Sequence, residues 1–101
     1  MHMSIRQYPI AWGKLDETLS RARAGFIPLV RRMPGFIAYH VMDPGDTTLI
    51  TVSLFETEDG GRECNRRATE WVDEFLGDLV TGPPRIVMGP VVEDWSAAGR
   101  G

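Results

Sequence analysis

An α+β fold with the order strand–helix–strand–strand–helix–strand is predicted by three observations. Two apolar runs, Phe36 to Met42 and Thr48 to Glu56, alternate with period two and flank the turn Asp43-Pro44-Gly45-Asp46. A helical period lies on each side of that hairpin. One further strand-like run lies beyond each helix. The chain has 101 residues, which suits one domain, and no internal repeat or linker divides it. The domain is expected over residues 1–95, with a loose tail over residues 96–101, a small and polar stretch.

The first strand is expected over Ser4 to Tyr8, ended by Pro9. His2 is given no function. Ile10 to Gly13 connect to a helix that starts near Lys14. Leu15, Leu19, Ala22, Phe26, Leu29 and Met33 recur at spacings of four and three, which places them on one helix face. Asp16 and Glu17 suit the positive end of the helix dipole, and Arg31 and Arg32 suit the negative end. Pro34-Gly35 stops the helix. Pro28 lacks an N–H and clashes with the carbonyl four residues back, so a kink is expected near Gly25-Phe26.

In the second strand, strict alternation puts Phe36, Ala38, His40 and Met42 on one side and Ile37, Tyr39 and Val41 on the other. In the third, Leu49, Thr51, Ser53 and Phe55 oppose Ile50, Val52 and Leu54. Thr57 is the expected N-cap of the second helix. Its apolar stripe is Cys64, Ala68, Trp71, Val72, Phe75 and Leu76. Gly77 or Gly82 can end it, and Pro83-Pro84 prevent its continuation. The last strand is expected from Arg85 to Trp95, bent or broken at Gly89-Pro90.

Each strand–helix–strand unit crosses over right-handed. Interleaving two such units around the hairpin produces a four-stranded antiparallel sheet with two helices on one face, the ferredoxin-like arrangement. The other sheet face is left bare, yet both hairpin strands are apolar on both sides. A bare apolar face calls for a partner. The economical one is a second copy, sheet against sheet, so a homodimer is expected.

Composition narrows the function. Hydrophobic residues make up 43% and charged residues 25%, ordinary for a globular chain. The net charge is −3, from Lys+Arg 11 and Asp+Glu 14, which argues against nucleic acid as the main partner. No apolar run approaches membrane-spanning length. Cys64 is the one cysteine, so no internal disulfide can form, and a cytoplasmic location is expected. One internal histidine and one cysteine are too few for the usual zinc constellations, so no metal site is expected. Gly60-Gly61 lacks the lysine and glycine spacing of phosphate-binding loops.

The segments MPGFIAYHV, TVSLFETED, NRRATEWVDEFL and GPVVEDW resemble the antibiotic biosynthesis monooxygenase-like domains, which are dimeric α/β barrels of this size. The resemblance runs from the first strand to Trp95 and is carried best by Pro34-Gly35-Phe36 and Phe55-Glu56. It implies a cofactor-independent monooxygenase acting on a small, flat, phenolic or polyketide-like molecule, with no organic cofactor. It also leaves open a non-catalytic dimeric module that binds a small ligand or another protein, and, third, a haem-binding or haem-degrading protein with His40 as axial ligand. The better-known oxygenases of this kind place an Asn and a Trp around a cavity between sheet and helices, commonly one turn apart. Here Asn65 and Trp71 are six residues apart, about 600° around a helix, and so on different faces.

The candidate site residues follow. His40 is the candidate catalytic proton acceptor, since the free imidazole pKa lies near 6.5; a hydrogen-bonded surface or dimer-contact histidine is its ordinary role. Phe36, Trp71, Phe75, Trp12 and Asn65 are the candidate substrate pocket. Trp71 suits a cavity wall or plain core packing. Trp12 could cap a pocket or anchor its loop. Asn65, beside Arg66-Arg67, has a solvated helix face as its ordinary reading. Tyr39 points opposite to His40, so the two cannot share one pocket. Arg6 and Arg85 could meet a substrate anion, with surface charge as the default. Cys64 suits a buried thiol better than a nucleophile.

Overall fold

The computed structural model describes residues 1–45 and 47–97. Four strands and three helices follow in the order β1 (His2–Pro9), α1 (Leu15–Ala24), α2 (Phe26–Arg31), β2 (Phe36–Met42), β3 (Thr48–Phe55), α3 (Glu58–Phe75) and β4 (Arg85–Pro90). The strands form one antiparallel sheet in the order β2-β3-β1-β4. The ferredoxin-like α+β fold is therefore present, with the helices over one face.

The expected kink is a full break. Gly25 separates α1 from α2, and its N–H donates to the Arg21 carbonyl at 3.0 Å. Pro28 then falls in the first turn of α2, where its missing N–H leaves no helical bond unmade. Gly25 is required by close approach. A Cβ at this position would stand 2.7 Å from Cζ2 of Trp71 on α3. Gly35, at φ +78, makes the turn into β2, and its carbonyl accepts from the Glu56 N–H at 2.8 Å. In the hairpin turn the Gly45 N–H donates to Asp43 Oδ1 at 2.8 Å; Asp46 lies outside the described residues. Thr57 caps α3 as expected, its hydroxyl accepting from the Gly60 N–H.

Three boundaries differ from expectation. β1 begins at His2, because it pairs along its whole length with β3 and, from His2 to Gln7, with β4. α3 ends at Phe75, before either glycine, and its Leu76 cap N–H reaches the Val72 carbonyl. β4 ends at Pro90, where the ladder loses a donor. Val91 N–H still reaches the Met1 carbonyl, but the chain onward to Trp95 has no regular structure. Of the expected tail, Ser96 and Ala97 are exposed and the rest lies outside the described residues.

The core divides in two. Phe26 and Val30 of α2 meet Phe55, Cys64 and Ala68, with Phe36, Tyr39 and Trp71 around them. Tyr8, Ile10 and Leu49 form the second part, under Leu15, Leu19, Val72 and Val80. The bare face carries Met3 and Ile5, then Ile50, Val52 and Leu54, then His40 and Met42. One row crosses the sheet in register as His40, Val52, Ile5 and Val87. Val87 is 66% exposed there.

Candidate functional site

The helix-facing side of β1 is polar. His2, Ser4, Arg6 and Tyr8 point inward and are buried, while Met3, Ile5 and Gln7 point to the bare face. Beside them, Thr51 and Ser53 of β3 are buried between Leu49 and Phe55. α3 answers this polar strip from above. Asn65 Oδ1 accepts from Ser4 Oγ at 2.9 Å and from Arg6 at 3.3 Å, and the Asn65 amide nitrogen donates to Met88 Sδ at 3.2 Å. Thr69, one turn on, accepts from Arg6 at 3.2 Å. Arg6 also donates through Nε to the Tyr8 hydroxyl at 2.6 Å, with its guanidinium carbon 5.3 Å from the Tyr8 ring centre.

Arg6 is 3% exposed, which overturns its default reading as surface charge. Its hydrogen bonds all go to neutral oxygens. The ion pairs of the described residues lie elsewhere, on the outer surface: Arg21 with Glu17 and Asp78, Arg62 with Glu58, and Arg66 with Glu63 and Glu70. A buried guanidinium without a carboxylate is costly, commonly several kcal/mol. Its hydrogen bonds reduce that cost but leave the charge uncompensated.

Tyr8 carries this charge to the edge of a cavity between sheet and helices. Its floor is Tyr8, Leu49, Thr51, Tyr39 and Val41, and its roof is Thr18, Leu19 and Ala22 of α1 with Ala68, Trp71 and Val72 of α3. Phe26 closes one end, with its ring 5.8 Å from both Tyr39 and Trp71. The lining is almost wholly apolar and aromatic, and Tyr8, Tyr39, Thr18 and Thr51 are the residues in it that carry hydroxyls. Burial raises the pKa of both tyrosines above the ordinary phenol value, and Thr51 hydrogen-bonds Tyr39. Both are neutral donors at physiological pH. The cavity volume is about 40 Å³, about three water-sized spheres.

The expected site residues are dispersed. Trp71 does line the cavity. Phe36 does not. A bulge at Ile37 breaks the strict alternation of β2, since Phe36 pairs with Phe55 whereas Ala38 already pairs with Leu54. Phe36 therefore turns to the helix side and packs on Phe55 at 5.9 Å. His40 stays on the bare face opposite Val52, with the sheet between it and the cavity. The haem reading thus loses its axial ligand at the cavity. Tyr39 takes the inward place, so the opposed directions of Tyr39 and His40 are as expected. Phe75, 48% exposed, packs on the outer side of Trp71 at 5.3 Å. Trp12 is 84% exposed and is not among the residues that line this cavity. Asn65 is not a solvated residue but a partner of Ser4 and Arg6, away from Trp71. Arg85 is exposed at the edge of the sheet. Cys64 is buried, and burial pushes its thiol up, as suits a structural role. Among the described residues no group of three His, Cys, Asp or Glu side chains could hold a metal ion. No helix among them is long and apolar enough to cross a membrane.

Tyr8 is what sequence reasoning missed, and Arg6, allowed there as a partner for a substrate anion, was by default read as surface charge. Alternation in a short strand cannot tell which set faces inward. A signal did exist: Thr51 and Ser53 share a face with Phe55, and Asn65 and Thr69 sit one turn apart beside Cys64 and Ala68.

No family model matches the sequence, and no curated protein matches it. Solved structures do. NE2512, a protein of unknown function from Nitrosomonas europaea, superposes with a TM-score of 0.74 at 18% identity, over 97% of this chain and 95% of that one. A monooxygenase from the gene ActVA-Orf6 of Streptomyces coelicolor, in complex with Nanaomycin D, superposes at 0.69 with 20% identity, over 92% of each chain. SnoaB from Streptomyces nogalater, a cofactor-independent oxygenase, superposes at 0.69 with 12% identity, over 92% of this chain and 94% of that one. The chain has the antibiotic biosynthesis monooxygenase-like fold.

Proposed function

We propose that this fold serves here as a small-molecule site, and that the chain is a cofactor-independent monooxygenase acting on a small, flat, phenolic or polyketide-like compound. The observation that carries this reading is the aromatic-walled cavity between sheet and helices, with two neutral tyrosines in its wall. Apolar walls with a few convergent polar groups are the general form of a ligand pocket. The fold is shared with a monooxygenase solved with Nanaomycin D and with a cofactor-independent oxygenase. Trp71 and Phe26 would stack on the ring, and the tyrosines would meet its oxygens.

A ring needs more than 40 Å³. The wall with least to lose by moving is α1, where Thr18 is the one fully buried residue, and Gly25 is the natural hinge. The working unit in this reading is a homodimer joined through the bare sheet face, with His40 in the interface. A non-catalytic ligand-binding module is the alternative, favoured by the separation of Asn65 from Trp71.

Oxygen uptake against a panel of hydroxylated polycyclic aromatics, run beside a thermal-shift screen, separates the two. Consumption supports the oxygenase, and stabilisation without consumption supports the binding module. No stabilisation by any member would sink both. Trp71→Phe is expected to weaken a stabilising ligand up to about tenfold, the scale of one aromatic contact. His40→Ala is expected to leave that affinity unchanged.

A further inference from the structure

The cavity wall holds a hydroxyl whose direction is dictated from behind. Arg6 Nε donates to the Tyr8 oxygen at 2.6 Å, and a guanidinium has no acceptor to offer in return. The Tyr8 proton therefore cannot go back to Arg6, and no acceptor for it stands among the hydrogen bonds of the described residues. Tyr8 belongs to the cavity lining. The other guanidinium nitrogens are fixed by Asn65 and Thr69, so Arg6 cannot swing away to solvent. The result is a buried positive charge, with no carboxylate buried among the described residues, hydrogen-bonded to the hydroxyl of a tyrosine in the cavity wall.

We propose that Tyr8 is the cavity's hydrogen-bond donor to a ligand oxygen, that Arg6 is its positioning residue, and that the pair selects an aromatic ligand in its oxyanion form, a phenolate or enolate. This rests on the reading of the cavity as a ligand site. The ligand's proton goes to bulk water as the anion is taken up, so no protein base is required. The charge compensates Arg6, which the fold otherwise leaves unpaired. The titratable groups facing the pair are Tyr39 from β2 and Cys64 from α3, both held neutral by burial. From α1 the cavity meets only Thr18, Leu19 and Ala22, which carry no charge. Arg6 is thus the one charge that bears on the ligand from these elements.

The test uses 4-nitrophenol, whose anion absorbs differently from its acid, and 4-nitroanisole, which has the same ring and no ionisable oxygen. Binding is followed by equilibrium dialysis, and ionisation of the bound phenol by its absorbance against pH. In the wild-type protein the bound phenol is expected to ionise about one pH unit lower than in water, a tenfold preference for the anion. Tyr8→Phe and Arg6→Met are each expected to abolish the shift while both probes still bind. A merely structural Arg6 would not move an ionisation midpoint, and circular dichroism confirms that each variant folds. Should Arg6→Met fail to fold, the wild-type comparison and Tyr8→Phe still decide. A bound phenol with no shift, or a shift that survives Tyr8→Phe, overturns the role of the pair and leaves the cavity reading intact. If neither probe binds, the cavity reading fails and this inference falls with it.

Discussion

Tyr8, Tyr39 and Cys64 are acids that folding holds in their neutral form, chiefly by desolvation. The sign of their effect on stability follows from proton counts. Below the unfolded pKa values both states are protonated, and stability is full. Above them, from about pH 9 for the thiol and about pH 10 for the phenols, the unfolded chain releases protons that the folded chain keeps. Stability is therefore expected to fall as pH rises through that window, by up to about 1.4 kcal/mol per pH unit for each fully shifted group. Urea denaturation between pH 7 and pH 11 reads this directly. Tyr39→Phe should flatten the fall, and an unchanged slope would show that Tyr39 titrates normally in the fold. Single residues were also the hardest part of the site to read in the chain. Arg6 looks like any strand cation until its neighbours from α3 are in place, and only its burial and hydrogen bonds distinguish it from Arg85.

Gly25 belongs to the scale of elements, because it joins three of them. It ends α1, begins α2, and admits the Trp71 ring of α3 at a distance no Cβ tolerates. Replacing a glycine by alanine ordinarily stabilises a compatible site by about 0.4–1 kcal/mol through the unfolded chain. Here the overpacking cost, typically about 1–3 kcal/mol, outweighs it. Gly25→Ala is expected to be destabilising by chemical denaturation, and Trp71→Phe in the same chain should recover part of the loss. Additive effects of the two changes would mean that the close approach is not what makes alanine costly. Only a kink near Gly25 was readable, from Pro28 in an otherwise regular apolar period. Its role was not, since a kink in one helix shows nothing of the ring that another helix sets against it. The bulge at Ile37 is the opposite case. Its one extra residue turned Phe36 to the helix side, and no turn residue or break in composition marks it.

At the scale of the molecule, the bare sheet face is the main unsatisfied surface. Its central row of His40, Val52, Ile5 and Val87 is flanked by Leu54 and Met3 on one side and by Ile50 and Met42 on the other. If a second copy covers it, Val52→Lys places a desolvated ammonium at the centre of the interface. Light scattering at low micromolar concentration should then show a dimer for the wild type and a monomer for the variant, with the helical circular dichroism unchanged. A wild-type monomer would sink the homodimer.

Strand order, the hairpin, the Thr57 cap and the disturbance of the first helix near Gly25 rest on residues a few positions apart, so the chain alone sufficed to place them. The bareness of one sheet face followed from connectivity in the same way. The direction of β1 did not. Met3 and Ile5 are the more apolar set, yet they face outward, while Ser4, Arg6 and Tyr8 face the helices. Inward polarity is tolerable only because Asn65 and Thr69 arrive from nearly sixty residues away to satisfy it. That bargain is struck between distant segments, and so is the cavity that Trp71, Tyr8 and Tyr39 enclose. Local pattern carries no term for a hydrogen bond whose partner has yet to be folded into place.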